Sequence, residues 1–430
     1  MHALVIALGS HGDIHPMLGI ALGLRERGHG VTFVASPYFE PLARKAGFDD
    51  FVPLGTFDEF RHALANPDLW HPLKGFKAVF QHGVLPATQP TFDAIARRYI
   101  PFETVVVAHA IALGARIAQD KLGVPTATVQ LAPAVFRSMH QPPRLPGLHM
   151  PDWLPLAVKR AMWWMIDTLV IDRLLAPPIN QIRADVGLPP VRHILDNWWL
   201  SPDLVLGLFP DWFASKQPDW PAQLRLTQFP LYDEGDVEPV SPELEAFLGA
   251  GEPPIVFTPG SAMTFGQSFF RESATACEIL NRRGILLSRH REHIPTDLPT
   301  TVRHFDYAPF SRILPRCAAL VHHGGIGTTS QALAAGIPQL VMPMAHDQFD
   351  NAQRVAHLGA GDWIKRRNYQ AKPVAAKLNA LLTNSHIASA CRHIAARFLD
   401  VDPMAKTCDL IEELYAHTGQ QGQPSRPAVV

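Results

Sequence analysis

The chain has 430 residues, of which 47% are hydrophobic and 18% are charged, an ordinary composition for a globular protein. Its formal net charge of −1 argues against a nucleic-acid partner, because such proteins usually neutralise many phosphates with Lys and Arg. The four cysteines, Cys277, Cys317, Cys391 and Cys408, show no CxxC spacing and fit neither a zinc site nor a disulfide framework. Because the length exceeds that of a single core, we expect two domains, in a reducing cytoplasm.

The first domain is predicted to span residues 1–228. The run "ALVIAL" reads as a buried strand, residues 9–13 as a turn, residues 16–27 as a helix that ends at Gly28, and "VTFVAS" as the next strand. The same alternation returns at "TVVVAHA", "IALGARIAQDKLG" and "TATVQ". Strand-helix-strand units of this kind build parallel sheets, so the fold class is α/β and doubly wound.

An aromatic-rich insertion, at about residues 141–212, interrupts this alternation. One reading is a helical subdomain whose rings pack on the sheet, since aromatic side chains dominate core burial. The sharper reading is that some rings, with Trp163 and Trp164 as candidates, line an apolar acceptor cleft or touch a membrane surface. The insertion carries Trp153, Trp163, Trp164, Trp198, Trp199 and Trp212.

An acidic, proline- and glycine-bearing stretch at residues 229–254 is predicted to be the linker to a second domain, residues 255–400. A helix at 401–418 is expected to pack back on the first domain, and the polar tail 419–430 is expected to be disordered. The second domain repeats the α/β alternation from "IVFTPGS" onward. Two such halves imply a central cleft, where the carboxyl ends of both sheets can face one ligand.

The stretch "AALVHHGGIGTTSQALAAG" predicts an anion site in the second domain. A strand ends at His322 and His323, a glycine-rich turn follows, and a helix begins near Thr328. The helix N-terminus carries partial positive charge, and Gly325 and Gly327 allow a phosphate to approach the backbone closely. The stretch is neither a P-loop nor a dinucleotide fingerprint. A histidine here could carry a proton beside a diphosphate or donate a hydrogen bond while neutral.

Further along, "MPMAHDQFDNAQRV" places Asp347 and Gln348 in the turn after another strand. Together they offer donors and acceptors suited to neighbouring hydroxyls, as on a sugar. The alternative is that Asp347 caps the following helix, and both roles can hold.

In the first domain, "GSHGDIHPM" places Asp13 after the first strand, between His11 and His15. A carboxylate at this edge can remove a proton from an acceptor hydroxyl, although a helix-capping role is equally compatible with the pattern. A metal site formed by the three residues is the less favoured reading, because alternating side chains on a turn usually point apart.

These motifs together resemble glycosyltransferases of the GT-B fold, in the bacterial branch related to families 1 and 28. "GSHGDIHPMLGIALGLRERGH" is similar to the opening pattern of that branch, and "HHGGIGTT" with "AAGIPQLVMPMAHDQFDNA" is similar to its donor signature. In texture the chain is most similar to the rhamnosyltransferase subunit of bacterial rhamnolipid synthesis. The resemblance covers nearly the whole chain and implies two Rossmann-like domains facing a central cleft.

The resemblance also implies roles for individual residues. Asp13 corresponds to the catalytic base, and His11 and His15 become acceptor-side candidates beside Trp163 and Trp164. No metal and no cofactor is expected. The residues expected to bind the donor are Ser261, Tyr307, Pro309, Phe310, His322, His323, Gly325, Gly327, Thr328, Asp347, Gln348 and Asn351.

The implied activity is an inverting, metal-independent transfer of a hexose from a UDP-glucose-like or dTDP-rhamnose-like donor to a hydroxyl of a hydrophobic acceptor. The alternatives are a non-catalytic protein that binds a nucleotide sugar or an apolar ligand, and a nucleotide-sugar epimerase. The expected partners are a nucleotide sugar and an apolar acceptor. We also expect a cytoplasmic location, with peripheral attachment at the inner face of the membrane as a further hypothesis, since no uncharged stretch approaches the roughly 20 residues of a membrane-spanning helix.

Overall fold

The computed structural model describes residues 1–151, 153–235, 238–260, 266–399 and 401–421. It contains two parallel β-sheets, one of seven strands and one of six, each flanked by helices. The predicted α/β class and the two doubly wound halves are therefore confirmed. No helix in the described ranges combines the length and apolar character needed to cross a lipid bilayer.

The first sheet has the strand order β3-β2-β1-β4-β5-β6-β7, with every neighbouring pair parallel. Alternate residues of β1 face opposite sides, so that Leu4 joins one buried cluster while Ala3 and Val5 join another. The strands are β1 His2–Ile6, β2 Gly30–Ala35, β3 Phe51–Pro53, β4 Thr104–His109, β5 Thr126–Gln130, β6 Leu204–Gly207 and β7 Leu224–Leu226.

Eight α-helices accompany this sheet in the described residues, and the last two are joined by a π-helical turn at Asp167–Ile171 into one long helical segment. The helices are α1 His11–Glu26, α2 Glu40–Lys45, α3 Phe57–Ala65, α4 Gly75–Val79, α5 Leu85–Arg98, α6 Leu113–Leu122, α7 Leu156–Ile166 and α8 Asp172–Asp185.

Helix α1 begins earlier than the sequence pattern indicated. The predicted turn at residues 9–13 and helix start at Pro16 are wrong, because the helix begins at His11 and Pro16 lies inside it. Pro16 lies past the first turn of α1, where its missing N–H costs the backbone bond to the Gly12 carbonyl, and the helix starts five residues before it. As a result Asp13 lies in the first helical turn rather than in a preceding loop.

The second sheet has the order β10-β9-β8-β11-β12-β13, again parallel throughout. Its strands are β8 Ile255–Thr258, β9 Gly284–Leu287, β10 Val302–Phe305, β11 Ala319–His322, β12 Gln339–Val341 and β13 Gly361–Trp363. Its helices are α9 Pro242–Gly249, α10 Gln267–Leu280, α11 Phe310–Ile313, α12 Ile326–Ala335, α13 Gln348–His357, α14 Ala371–Thr383 and α15 Ser385–Ala395.

The predicted linker at residues 229–254 contains a helix that the composition did not reveal. Leu244 and Leu248, one turn apart on α9, are buried in the same cluster as Val256 of the second sheet. Helix α9 therefore packs as part of the second core. Its two leucines form an apolar face, which the average composition of this acidic, proline-bearing stretch does not reveal.

The last described helix, α16 Ala405–Gln421, returns to the first half of the chain. Its Cys408 and Ile411 lie in the buried cluster that contains Met17 and Leu18 of α1. The Arg27 guanidinium donates to the Asp409 carboxylate at 2.6 Å at the edge of this contact. The two halves of the chain are thus joined by α16 as well as by residues 227–254.

Candidate active site

A cavity of about 920 Å³ lies between the two halves of the chain. The first half contributes residues that follow β1 and β4, and the second half contributes residues that follow β11 and β12, so the carboxyl ends of both sheets meet there. Most of the lining is apolar. Eight of its polar side chains follow the strand ends of the two sheets, and we call this set the polar edge: Ser10, Asp13, His109, His323, Thr328, His346, Asp347 and Gln348.

Asp13 lines this cavity with a fixed orientation. Its Oδ2 accepts hydrogen bonds from the Ser10 backbone N–H at 2.7 Å and from the Ser10 hydroxyl at 3.1 Å. The capping arrangement that the sequence left open therefore exists, and it uses only one carboxylate oxygen. The other, Oδ1, lies 3.9 Å from Nε2 of His109, and the side chain is 31% exposed.

His109 is a site residue that the sequence reasoning missed. Its Nδ1 bonds to the Leu8 carbonyl oxygen at 2.8 Å, and because a carbonyl can only accept, Nδ1 must carry the hydrogen. In the neutral ring, Nε2 then presents its lone pair toward Asp13. The sequence signal that could have identified it is the histidine at the end of the strand "TVVVAH". Because β4 lies next to β1 in the sheet, the carboxyl ends of the two strands are adjacent.

His323 lines the cavity from the second domain, with its ring held between two glycines. A Cβ built on Gly260 would lie 2.7 Å from this ring, and one on Gly325 would lie 2.6 Å from it, so neither position accepts a larger residue without moving the histidine. Burial, followed by the nearby His346, lowers the pKa of His323 to about 4. Of the two states considered from sequence, the neutral ring is the one present in the free protein.

The N-terminus of α12 opens onto the same cavity. The helix begins at Ile326, two residues before the predicted start, and its N-cap is Gly325, which supplies no capping side chain. The first backbone N–H groups of a helix have no partner within the helix. Gly327 and Thr328 lie in this first turn and border the cavity, and a Cβ on Gly327 would meet open space.

Two of the predicted donor contacts are corrected because their side chains are fully buried. His322 is 0% exposed, bonds through Nε2 to Gln339 Oε1 at 2.9 Å, and accepts through Nδ1 from the Gly324 N–H at 3.1 Å. Burial lowers the pKa of His322 to about 3. Asn351 is also 0% exposed and donates to the Gly324 carbonyl oxygen at 2.9 Å. Both residues hold the glycine turn in place and do not border the cavity.

Asp347 and Gln348 both border the cavity. Asp347 takes the N-cap position of α13, but its side chain makes no capping hydrogen bond, and its Oδ2 accepts from Asn351 at 2.7 Å. Burial raises the pKa of the Asp347 carboxyl to about 7. Gln348 uses its Oε1 to accept from two backbone N–H groups, at 2.8 and 3.1 Å, which leaves its amide NH₂ as the group that can donate to a ligand.

Tyr307 and His11 border a second, smaller pocket of about 330 Å³ rather than the main cavity. The Tyr307 hydroxyl donates to the Asp233 carbonyl oxygen at 2.7 Å, and the Arg289 guanidinium lies 5.0 Å from the centre of its ring. Burial, and then the neighbouring His15, lowers the pKa of His11 to about 4. His11 and Asp13 therefore face different pockets, although only one residue separates them.

Three more predicted residues lie away from the main cavity. His15 bonds through Nε2 to Glu234 Oε1 at 3.1 Å and does not border it. Pro309 is the N-cap of α11, and Phe310 packs against the buried cluster that contains Phe305. None of the three borders the main cavity, so their predicted contact with a donor or acceptor stays a prediction. Ser261 lies outside the described residues.

The two tryptophans proposed for the acceptor side have opposite surroundings. Trp163 is 5% exposed, borders the cavity, and stacks under the Arg137 guanidinium at 4.7 Å. Trp164 is 57% exposed and does not border it. Trp164 is therefore removed from the acceptor-side candidates, because adjacent residues of a helix point about 100° apart.

One group of side chains in the described residues could converge on a metal ion. It consists of His290, Glu292 and His293, whose ligand atoms lie within 4.8 Å of one another. The group is outside the main cavity, where Asp13 lies.

Two parallel α/β sheets whose carboxyl ends share one cavity define the GT-B class of glycosyltransferase fold. Residues 3–141 match the glycosyltransferase family 28 N-terminal domain. Residues 283–409 match the erythromycin biosynthesis protein CIII-like C-terminal domain.

Similar proteins cover the chain almost end to end. Glycosyltransferase GtfE of Amycolatopsis orientalis is 31% identical over 380 residues, which are 84% of this chain and 85% of that protein. O-mycaminosyltylonolide 6-deoxyallosyltransferase of Streptomyces fradiae is 29% identical over 96% of this chain and 97% of its own length. The structure of spinosyn rhamnosyltransferase SpnG complexed with thymidine diphosphate superposes with a TM-score of 0.66, at 20% identity, over 95% of this chain and all of that one. The chain belongs to the GT-B glycosyltransferases with a family 28 type N-terminal domain, and it is an enzyme.

Proposed function

We propose that this glycosyltransferase moves a hexose from a nucleoside-diphosphate sugar to a hydroxyl group of a hydrophobic small molecule or lipid, with inversion and without a metal. The observation that carries the proposal is that Asp13, from one half of the chain, and the open start of α12, from the other, border the same cavity. A proton acceptor and an anion site on opposite walls are what such a transfer needs.

The acceptor side is supported by the character of the cavity walls. Away from the polar edge, the lining is apolar and includes Phe76, Phe80, Trp163, Leu195 and Trp199. A cavity of about 920 Å³ is within the size range of sites for drug-sized ligands. The relative from Streptomyces fradiae is named for a transfer to O-mycaminosyltylonolide, a macrolide, which supports a large, mostly apolar acceptor.

The donor side is supported by the start of α12 and by His323. The diphosphate would accept hydrogen bonds from the free N–H groups of the first turn, from the Thr328 hydroxyl and from the neutral His323 ring. Asp347 and the amide of Gln348 would bind hydroxyls of the sugar. Thymidine diphosphate in the related spinosyn rhamnosyltransferase supports a dTDP-sugar as one donor to test, beside UDP-glucose.

The nucleoside would extend toward the smaller pocket. Tyr307 and Arg289 border that pocket and offer an aromatic face and a cation near the same point. A nucleobase can stack on either group. Of the neighbouring residues Tyr307, Pro309 and Phe310, all predicted to bind the donor, this assignment uses Tyr307 alone.

In the proposed reaction, Asp13 takes the proton of the acceptor hydroxyl as its oxygen attacks the anomeric carbon from the face opposite the diphosphate. The new carbon–oxygen bond forms while the bond to the diphosphate breaks, and the electron pair leaves with the phosphate. Negative charge therefore grows at the start of α12, where the helix end, Thr328 and His323 can stabilise it. Inversion of the anomeric centre follows from the direction of attack.

His109 provides the next position for the proton. Its Nδ1–H is bonded to the Leu8 carbonyl, so its Nε2 can accept, and it lies 3.9 Å from the Asp13 oxygen that Ser10 does not occupy. The proton would pass from the acceptor to Asp13 and from Asp13 to His109, before it is released to water. This order restores the Asp13 carboxylate for the next turnover.

A cytoplasmic location is part of the proposal, as is the absence of a required metal. All four cysteines are free in the structure and buried, in keeping with a reducing compartment. Peripheral attachment to a membrane, the remaining hypothesis about location, is developed below from the surface of α7.

The test is an assay of the purified protein with UDP-glucose, dTDP-glucose and dTDP-rhamnose against a panel of hydroxylated apolar acceptors. We expect one donor to give product whose anomeric configuration, read by NMR coupling constants, is opposite to that of the donor. The same rate should be found in the presence of EDTA. Retained configuration, or a rate abolished by EDTA and restored by a divalent cation, would contradict the mechanism.

A further inference from the structure

Exposed apolar side chains are concentrated on one segment of the insertion. Half of the large apolar side chains that are exposed in the described part of the chain lie between residues 153 and 170. Their exposed fractions run from 42% to 80%. We call this set the apolar rim: Trp153, Leu156, Val158, Trp164, Met165, Leu169 and Val170.

The apolar rim and the cavity wall are two sides of the same helical segment. Trp163, Ile166 and Ile171 border the cavity, while Trp164, Met165 and Leu169 are exposed and do not. Val170 belongs to both sets, because it is 55% exposed and borders the cavity. Leu73, which is 70% exposed, also borders the cavity. The apolar surface therefore continues from the outside of the protein into the cavity.

Between residues 153 and 173, the exposed charged side chains are positive. Arg160 and Arg173 are exposed, whereas the two described acidic residues of the segment are engaged internally. Asp167 is buried and bonded to Arg137, and the Asp172 carboxylate accepts two hydrogen bonds from backbone N–H groups of the loop before β6. A surface that presents tryptophans, aliphatic side chains and arginines together matches the chemistry of an anionic lipid headgroup region.

We propose that the apolar rim docks onto an anionic lipid bilayer and that the acceptor enters the cavity from that bilayer. Trp153 and Trp164 would lie at the headgroup level, where tryptophan is favoured, and Leu156, Met165 and Leu169 would enter the acyl boundary. An apolar acceptor could then move from the membrane past Val170 and Leu73 without crossing water. The docking is inferred from the exposed side chains alone, and only the entry route rests on the proposed function.

The docking is tested by sedimentation of the full-length protein with vesicles of phosphatidylcholine, with and without an equal part of phosphatidylglycerol. We expect the wild type to bind the mixed vesicles, and the triple variant Trp153→Ser/Met165→Ser/Leu169→Ser to bind at least about tenfold more weakly, because three inserted side chains are lost. Arg160→Glu should weaken binding to the mixed vesicles but not the small residual binding to phosphatidylcholine alone.

A matched control removes three exposed apolar side chains from other places: Ile100→Ser/Ile279→Ser/Leu399→Ser, whose exposed fractions are 48%, 50% and 69%. This variant should bind vesicles as the wild type does. Equal vesicle binding by the wild type and the rim variant would overturn the proposal. So would a wild-type dimer in light scattering that the rim variant dissociates, since the rim would then be covered by a second copy.

The entry route is tested separately from the docking. Transfer to a water-soluble acceptor should be unchanged in the rim variant, while transfer to an acceptor held in vesicles should fall by about the same factor as vesicle binding. If no donor and acceptor pair gives product, the proposed function fails while vesicle binding can still be observed. If vesicle binding is lost but transfer from vesicles is not, the entry route is wrong.

Discussion

Helices α1 and α12 both begin at the carboxyl end of a β-strand and open onto the same cavity, yet their first turns are built differently. At the start of α1, Asp13 accepts two hydrogen bonds from Ser10. At the start of α12, the N-cap is Gly325 and no side chain caps the helix. The positive end of α1 is therefore already occupied by a carboxylate of the protein, and the positive end of α12 is open.

The difference separates the two roles that the site must combine. A carboxylate held at a helix start keeps one oxygen engaged and turns the other toward the cavity, which suits a base with a fixed orientation. An uncapped helix start with glycines at its edge suits an anionic group that arrives from outside. A helix N-terminus thus positions the base in one domain, and in the other domain a helix N-terminus is free to bind the leaving group.

The largest effect is expected when the carboxylate of the α1 start is neutralised. Asp13→Asn should lower kcat by roughly 1,000-fold, because the acceptor hydroxyl loses its base. Binding of the nucleoside diphosphate, read by thermal shift, should be retained. The matched control is Glu59→Gln, since Glu59 also borders the cavity and accepts from the Thr56 N–H at the start of α3. Comparable losses in both variants would show that Asp13 acts only as a cap.

A second variant gives the α12 start the feature that α1 already has. Gly327→Asp places a carboxylate in the first turn, where a Cβ meets open space. We expect the affinity for the nucleoside diphosphate to fall by about 10- to 100-fold, because the acidic side chain repels the diphosphate and satisfies the helix end. Gly327→Asn is the neutral control and should cost much less. Equal affinities of the two variants, measured by calorimetry, would argue against an anion site at this turn.

A third variant asks whether Asp13 hands its proton to His109. His109→Ala should lower kcat by about tenfold, less than Asp13→Asn, because the proton can still reach water directly. Added imidazole should restore part of the rate in this variant but not in Asp13→Asn. His82→Ala, at another histidine that borders the cavity, is the control. A rate that imidazole does not restore, with a raised KM for the acceptor, would indicate a packing role.

The smallest effect is expected on stability, from the titration of the Asp347 carboxyl. Burial raises the pKa of this carboxyl from 3.8 to about 7, with Asp13 and Asp350 adding to the shift and Asn351 opposing it. A raised carboxyl pKa means that folding favours the protonated form, so wild-type stability falls as the pH rises from about 4 to about 7. The free energy of unfolding of Asp347→Asn relative to wild type should therefore rise by about 2 kcal/mol between pH 5 and pH 8.

Urea unfolding at the two pH values measures this difference. Parallel pH profiles for the wild type and Asp347→Asn would show that the carboxyl titrates normally. Asp362→Asn, at an exposed carboxylate paired with Lys377, provides the control and should leave the pH dependence almost unchanged.

Much of the fold followed from local patterns. The β-branched runs and the glycines between them located the strands that position the site. The polar residues that follow β1 and β11, among them Asp13 and His323, indicated where the polar edge would be. The first turn of α1 was misplaced because proline is common at the first position of a helix, whereas Pro16 lies inside α1. Helix α9 was missed because its two leucines are embedded in an acidic, proline-bearing stretch.

Adjacent residues show where local patterns stop being informative. His322 and His323 look equivalent in "VHHGG", yet the first is enclosed by Gln339 and Gly324 while the second borders the cavity. In the same way, Trp163 is buried and borders the cavity, whereas Trp164 is exposed and does not. Burial of a side chain depends on which neighbour covers it, and that neighbour can come from any part of the chain.

The sequence by itself determined the α/β architecture, the family, and the residue types at the two helix starts, because strand and helix periods and turn glycines are local properties of the chain. Only the tertiary structure decided which residues work together. Asp13 and His109 lie close together because β1 and β4 are neighbours in the sheet, and both share a cavity with His323 because the carboxyl ends of two separate sheets border it. Contacts of that kind depend on how elements distant in sequence pack, and no local pattern encodes them.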